Sequence, residues 1–197
     1  MDIHLSVLER RVGTFVIKAY IAEDLPQYPY HNLVHTQSVV TRVREIAGYY
    51  GLGSTDHFVL VAAAWFHDIG HLCGEPEGYE DRSVRIMEQQ LADIPEGIRS
   101  GIAGCIIASR SPGYPLTTNE KILCDANTYH YGTPLFTDVD GLMRREMEMR
   151  GGMTIPDWHR RRVELLQRHR FFTEYCQQLL EPGKQRNIAW LEKKGGI

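Results

Sequence analysis

The chain has 197 residues, of which 43% are apolar and 24% are charged. This composition excludes a disordered chain and favours one globular domain with a substantial core. The formal charge of −3 gives no overall basic field, so a nucleic-acid polymer is not expected as a partner. The four cysteines lack the CxxC spacing of a zinc ribbon and do not indicate a disulfide framework. No apolar run approaches transmembrane length and the first residues lack a signal pattern, so we expect a cytoplasmic protein without a membrane partner.

Helical patterns run along the whole chain, and no segment shows the alternation typical of a strand. Gly51 is placed to end a helix, and Thr117 with Glu120 has the spacing of a capping box at the start of another. Pro182 and Gly183 are predicted to separate a long helix from a short last one. In chain order, the predicted helices span about 4–23, 31 or 32 to 50, 55–70, 80–93, 95–109, 117–130, 136–149, 157–180 and 184–193. The sequence therefore predicts an all-α fold.

The third predicted helix joins a buried run to polar residues. Its run from Phe58 to Phe66 is apolar on every face, yet His67 and Asp68 follow at once and His71 comes soon after. Burying an imidazole or a carboxylate costs on the order of several kcal/mol unless the group is paired or bound to a metal. A bound cation would offset that cost, and so a cation site is expected here.

Two histidine pairs have the spacing that places side chains on one helix face, namely His31 with His35 and His67 with His71. Asp125 interrupts a further apolar stretch. Imidazoles and carboxylates without a thiolate suit ions such as Mn²⁺, Fe²⁺, Zn²⁺ or Mg²⁺ rather than a structural zinc site. Each histidine taken alone is more often a hydrogen-bonded core residue, and it is the combination that predicts a metal site. Surface or packing roles are assigned to His4, His57, His159 and His169.

These motifs resemble a known family. His35, then His67-Asp68, then Asp125 is similar to the H…HD…D signature of the HD superfamily of metal-dependent phosphohydrolases. The segment Tyr30-His31-Asn32-x-x-His35 also resembles the start of the catalytic site in cyclic-nucleotide phosphodiesterases, which belong to the same superfamily. More loosely, the tail is similar to small bacterial HD phosphohydrolases, at Trp158, Arg162, Phe171-Phe-Thr173 and Arg186-Asn187-Ile. The resemblance implies an all-helical, single-domain HD-type bundle over residues 1–197, with a motif-bearing core at about 28–130 and a helical extension at 133–197.

The resemblance also implies roles for individual residues. The metal ligands would be His35, His67, Asp68 and Asp125. His31 would be the general acid, and Asp68 or Asp125 could accept a proton from the attacking water, which makes His31, Asp68 and Asp125 the catalytic set. His71 and Glu80 would stand behind the ligands and orient them. Substrate phosphate contacts are expected among Arg82, Arg110 and Lys121.

The expected number of ions depends on two places where this sequence differs from the two-metal members of the family. Two-metal members of the family carry further histidines where this chain has Tyr79 and the Ser109-Arg110 region. One divalent ion is therefore favoured, with Mn, Mg, Fe, Zn, Co and Ni all compatible with the ligands. A second ion would have to be held by Asp68 and water.

The expected activity is hydrolysis of a phosphate ester of a nucleotide, either a phosphomonoester or a phosphodiester, by metal-activated water. One alternative is a di-iron oxygenase on the same fold, which the missing histidines disfavour. The other is a non-catalytic nucleotide-binding regulatory module, which the intact ligand set disfavours. The chain is expected to be a monomer or a homodimer, depending on whether the predicted 157–180 helix packs internally.

Overall fold

The structure is a computed structural model that describes residues 3–22, 27–110 and 113–196. Across these residues it contains nine α-helices, two short 3-10 helices and no strand, so the predicted all-α class is confirmed. The α-helices are α1 Ile3–Tyr20, α2 Leu33–Tyr50, α3 Ser54–Phe66, α4 Tyr79–Gln90, α5 Glu96–Ala108, α6 Thr118–Asn127, α7 Phe136–Gly151, α8 Trp158–Arg168 and α9 Glu174–Gly195. The 3-10 helices are Ile69–Leu72 and Tyr129–Gly132.

The chain groups into two compact units. The first contains Met1–Gln27 and His31–Asn127, and the second contains Tyr28–Tyr30 and Thr128–Ile197. The division after Asn127 falls beside the expected end of the motif-bearing core. The assignment of both parts to one HD domain stays a prediction.

In the first unit, α3 is the central helix. It packs against α1, α2, α5 and α6, and every residue from Phe58 to Phe66 is buried. Contact with neighbours all round explains why this helix lacks a polar face. Polar groups attached to its end are consequently carried into the interior of the unit.

Local signals fix several helix ends as expected. Asn32 is the N-cap of α2, where its side-chain oxygen accepts from the backbone N–H of His35 at 3.1 Å. Gly51 ends the same helix in the left-handed conformation. The capping box at α6 is formed, because Thr117 Oγ1 accepts from the Glu120 N–H at 3.2 Å and the Glu120 carboxylate accepts from the Thr117 N–H.

The prediction that the third helix continues to residue 70 is wrong. The α-helix ends at Phe66, and a turn at His67 and Asp68 leads into the 3-10 helix. In a continued helix the His67 carbonyl would accept from the His71 N–H, but it accepts from the Ser83 hydroxyl at 3.0 Å instead. The His71 N–H donates to the Asp68 carbonyl, which is the tighter 3-10 pattern.

The predicted 157–180 helix is also wrong, because an extended segment separates α8 from α9. Thr173 begins α9 as its N-cap and accepts from the Cys176 N–H. The carbonyls freed by the break are satisfied from α9, where Lys184 Nζ donates to His169 O and the Gln177 side chain donates to Phe171 O. A single amphipathic helix over 157–180 would place Trp158 and Leu179 in its core; Trp158 is buried but Leu179 is exposed, because the break shifts the register.

The expected separation at Pro182 is wrong as well, since α9 runs through this residue. Proline inside a helix costs about 3 kcal/mol. The cost is offset by packing on both sides, where Leu180 and Ile188 are buried and Gly183 lies directly on Gly132. A Cβ at Gly183 would lie only 1.8 Å from the Gly132 carbonyl oxygen, so this close approach requires glycine.

Candidate metal centre

The turn that ends α3 carries the centre of the site. Ser83 on α4 organises it through two buried hydrogen bonds, one donated to the His67 carbonyl and one accepted from the Gly70 N–H at 2.9 Å. Gly70 allows this approach, because a Cβ there would lie 2.0 Å from Tyr79 O. The start of α4 therefore lies directly against the turn.

The α2 helix supplies the next ligand candidate. The Asn32 cap fixes the first turn of α2, in which His35 lies. Thr36 is fully buried behind it, with its hydroxyl 3.2 Å from the Tyr20 hydroxyl. Because α2 packs along α3, the first turn of α2 places the His35 ring beside the His67-Asp68 turn.

Three candidate ligand atoms converge on one point. The Nε2 atoms of His35 and His67 each lie 3.1 Å from Asp68 Oδ2, and they lie 3.4 Å from one another. Ligands bound at 2.0–2.2 Å to one ion are separated by about 3.0–3.5 Å in octahedral or tetrahedral geometry. The three mutual distances therefore fit adjacent positions around a single divalent cation.

The protonation of His67 also fits a ligand. Its Nδ1 lies 2.8 Å from the Ala64 carbonyl oxygen, which can only accept, so Nδ1 carries the proton. The Nε2 lone pair then points toward His35 and Asp68. A backbone carbonyl that fixes the tautomer in this way is typical of metal-binding histidines.

Asp68 supplies the strongest indication that the site suits a cation. Its side chain is 2% exposed, and the polar atoms nearest to it are the His35 and His67 Nε2 atoms, each 3.1 Å from Oδ2. Among the described residues no well-aligned hydrogen bond reaches either carboxylate oxygen. A buried carboxylate in such surroundings is unfavourable unless a charge compensates it. The residues present therefore fit a divalent cation.

The pKa values in this centre shift through burial and mutual charge. Burial raises the pKa of Asp68, but the charge of His67 and the contact with His35 outweigh it, so the value lies well below the usual 3.8. Burial lowers the pKa of His67, and the Asp68 charge raises it more, leaving it above 6.5. For His35 burial dominates, and its pKa is lowered. The carboxylate is thus ionised at neutral pH, as a ligand must be.

A second group of candidate ligands shares Asp68 with the first. It consists of His31, Asp68 and His71, whose ligand atoms all lie within 4.8 Å of one another. The His31 and His71 ring centroids are 4.0 Å apart, and the Tyr79 ring stacks on His71 at 3.8 Å. The ring of His71 lies between those of His31 and Tyr79, and its expected role in orienting the ligands stays a prediction.

Asp125 lies in the same unit, fully buried on α6, which packs on α2 and α3. It belongs to neither group of converging ligand atoms. The roles of Asp125 as a metal ligand and proton acceptor stay predictions.

The expected outer residues have distinct environments. Glu80 is buried and faces the half-exposed Arg110, with 3.4 Å between Oε1 and Nε.

The Arg82 guanidinium donates to the backbone carbonyls of Gly70, Glu77 and Glu75, and these hydrogen bonds fix the loop before α4. All three nitrogens of Arg82 are already hydrogen-bonded to these carbonyls, so a phosphate contact at Arg82 would require some of these hydrogen bonds to break. Lys121 is half-buried on α6, and its expected phosphate contact stays a prediction.

Sequence reasoning missed the contacts of Ser83 and Tyr79 at this turn. A serine inside a helix could have indicated such a contact, because serine is a poor helix former. Burial raises the pKa of the Tyr79 phenol, and the Asp68 and Glu80 charges raise it further, so the phenol stays neutral. The histidines assigned to surface or packing roles lie outside both ligand groups: His4, His57, His159 and His169.

The chain matches no protein-family model, no curated protein and no solved structure. The resemblance to the HD superfamily therefore depends on the motif residues alone. In the part of the chain that the structure describes, no helix is both long and apolar enough to cross a membrane.

Proposed function

We propose that this chain is a metal-dependent phosphohydrolase of the HD type that cleaves a phosphate ester of a nucleotide. The observation that carries the proposal is the convergence of His35 Nε2, His67 Nε2 and Asp68 Oδ2 at 3.1–3.4 Å. The motif resemblance supports the reaction class, and the buried Asp68 carboxylate between two imidazoles supports the cation.

His35, His67 and Asp68 would hold the ion, and Asp125 is the expected fourth ligand. A divalent cation bound there supplies Lewis acidity, which lowers the pKa of water and polarises a phosphoryl oxygen. The donor set accepts Mn, Mg, Fe, Zn, Co or Ni.

The residues of the chain prepare this chemistry in three ways. The Ala64 carbonyl accepts from Nδ1 of His67 and fixes the orientation of the ring, so Nε2 of the neutral imidazole presents its lone pair to the site. Burial of Asp68 strengthens electrostatic interactions within the site, because water is largely excluded from it. Asp125, buried on the adjacent α6, is proposed to accept the proton of the attacking water.

The substrate class is proposed from the family resemblance, which favours nucleotides. Arg110 is proposed to contact a substrate phosphate, because its guanidinium is half-exposed and its contacts with Glu80 and Asp81 are long, at 3.4 and 3.6 Å. The resemblance assigns proton donation to His31, whose ring lies 4.0 Å from that of His71 at the edge of the same centre.

The test is a substrate screen on protein purified without chelators. Bound metals are quantified, and mono-, cyclic and triphosphate nucleotides are assayed for phosphate release or ring opening with Mn²⁺, Mg²⁺, Co²⁺ or Zn²⁺. Asp68→Asn should abolish turnover, whereas Asp138→Asn, which removes an exposed carboxylate on α7, should leave it unchanged.

Two outcomes would contradict the proposal. Bound iron with dioxygen uptake and no hydrolysis would indicate the oxygenase alternative. Nucleotide binding without turnover in any of the metals would indicate a regulatory module.

A further inference from the structure

We propose that Glu146, on α7 of the second unit, is a positioning residue for His31. Glu146 fixes the backbone of Tyr30, and His31 is the next residue in the chain. The inference rests on the proposed function, because it uses the role of His31 as proton donor in that reaction. It gives the residues after the motif-bearing core a part in the chemistry.

The first argument comes from the residues that α7 buries. Only three of its 16 residues are buried, namely Phe136, Asp140 and Glu146, and two of these are carboxylates. A buried carboxylate is unfavourable unless it is paired and hydrogen-bonded. Asp140 accepts from Trp158 Nε1 at 2.7 Å and forms an ion pair with Arg162, so it links α7 to α8. Glu146 instead links α7 to the segment 28–30.

Each oxygen of the Glu146 carboxylate has its own contact there. Oε2 accepts from the Tyr30 backbone N–H at 2.8 Å, and Oε1 lies 2.6 Å from Arg150 Nη2. The glutamate side chain is 2% exposed, so water competes weakly for either oxygen. The Arg150 guanidinium also lies over the Tyr28 ring, 3.6 Å from its centroid. A hydrogen bond to a carboxylate is among the strong ones in proteins, and here it fixes a backbone position.

The second argument is the place of His31 between two fixed points. Tyr30, the residue before it, is buried and held by Glu146. Asn32, the residue after it, is the N-cap of α2. Since His31 precedes α2, the helix alone does not fix its backbone. Its ring lies 4.0 Å from that of His71, so a shift of the backbone at residue 30 would change how this imidazole is presented to the centre.

The proposed reaction makes such a shift measurable. When water attacks phosphorus, the bond from phosphorus to the leaving oxygen breaks, and that oxygen takes a proton from His31. A proton donor must lie within hydrogen-bond reach of its acceptor, and a displacement of about 1 Å can cost about 100-fold in rate. A para-nitrophenolate ion leaves without a proton because the nitro group delocalises its charge, whereas a phenolate ion leaves poorly. Misplacement of His31 should therefore slow phenyl esters and spare para-nitrophenyl esters.

The experiment compares these leaving groups on the full chain with Mn²⁺, using the phenyl and para-nitrophenyl esters of phosphate and of thymidine monophosphate. Glu146→Ala should lower kcat for the phenyl esters about 10–100-fold and leave kcat for the para-nitrophenyl esters unchanged. Glu146→Gln should retain most of the phenyl-ester turnover, because its amide oxygen can still accept from the Tyr30 N–H.

Glu148→Ala is the matched control on the same helix. The Glu148 carboxylate also accepts a backbone N–H, that of Ile155 at 3.1 Å, and pairs with an arginine, Arg144, at 2.9 Å. Its loss removes the same kinds of contact away from residues 28–30. Turnover of all four esters should therefore be unchanged in this variant.

A second readout needs no substrate. The ring signals of His31 in the nuclear magnetic resonance spectrum, identified by their loss in His31→Ala, carry a ring-current shift from the neighbouring His71 ring. Glu146→Ala should move these signals, and Glu148→Ala should leave them in place.

Unchanged phenyl-ester turnover in Glu146→Ala, an equal loss with both leaving groups, or unmoved His31 signals would each overturn the proposal. If wild type hydrolyses none of the esters and the His31 signals still move in Glu146→Ala, the positioning role is supported and the hydrolase is contradicted. Circular dichroism checks folding. If Glu146→Ala unfolds, Glu146→Met combined with Arg150→Met carries the test, because it removes the acceptor without leaving an unpaired buried charge.

Discussion

Replacement of Gly70 by alanine should reduce the stability of the first unit and disrupt the proposed metal centre. The new Cβ would lie 2.0 Å from Tyr79 O and 2.9 Å from the N and Oγ atoms of Ser83. Two of these atoms belong to the backbone of α4, so the turn and the helix must separate. Relieving such overpacking costs about 1–3 kcal/mol.

The separation also weakens two buried hydrogen bonds, those between Gly70 N and Ser83 Oγ and between Ser83 Oγ and His67 O. Each contributes about 1 kcal/mol. The total is roughly 3–5 kcal/mol, and for a chain of this size it corresponds to a fall in Tm of roughly 6–20 °C. Because the turn carries Asp68, affinity for Mn²⁺ should fall about 10-fold or more.

Urea denaturation followed by circular dichroism measures the first effect, and Mn²⁺ titration measures the second. Gly48→Ala is the matched control, since Gly48 lies exposed within α2 and an added Cβ would meet nothing within 4 Å. This control should be more stable than wild type by about 0.5–1 kcal/mol. Equal stability of Gly70→Ala and wild type would refute the packing argument, and destabilisation with unchanged Mn²⁺ affinity would refute its link to the metal centre.

Three further outcomes are expected. Addition of Mn²⁺ at about 100 times its Kd should stabilise wild type by about 2.7 kcal/mol, or roughly 5–10 °C in Tm, and should have no effect on Asp68→Asn in a thermal melt. Burial lowers the pKa of His169 to about 4. Between about pH 6.5 and pH 4 this histidine therefore binds a proton in the unfolded chain and not in the folded one. The free energy of unfolding should fall by about 3 kcal/mol as the pH drops through that window. His169→Gln should flatten this part of the pH profile of unfolding free energy, and an unchanged profile would contradict the assignment. Iodoacetamide at pH 8 should label only the exposed Cys73 in the folded chain, because the other cysteines are buried. Burial also raises the pKa of Cys105 and Cys124 to about 12, so their thiols stay protonated and unreactive. Label found on Cys105 or Cys124 by peptide mapping would refute this expectation.

Much of the fold follows from local signals. The Asn32 cap and the Gly51 stop delimit α2, and the capping box delimits the start of α6, because each acts within one helical turn of itself. The ligand candidates on these helices could be anticipated for the same reason. The His31–His35 spacing was informative about proximity, although the structure divides the two residues between different ligand groups.

The errors occur where distant contacts override local preference. The segment around Phe171 has helical periodicity, but its carbonyls are bound by side chains of α9, which no local pattern shows. Pro182 is a strong helix breaker in isolation, yet the close contact of Gly183 with Gly132 holds α9 together. The one local sign of the break before α9 is Thr173, which is a good N-cap residue.

The most consequential error concerns the end of α3, and it bears directly on the metal centre. His67 keeps helical dihedral angles, with φ −52° and ψ −38°, and the chain leaves the α-helix at Asp68, with φ −110° and ψ 1°. In the turn, His67 Nε2 and Asp68 Oδ2 lie 3.1 Å apart and meet His35 from α2. Where the α-helix ends, the His67 carbonyl accepts a hydrogen bond from Ser83, 16 residues away. No local pattern at His67 and Asp68 shows this contact, and the position of His35 beside them depends likewise on the packing of α2 against α3. The helix boundary and the convergence of the three side chains are therefore both tertiary features, which is why the sequence motifs indicated the residues and not their geometry.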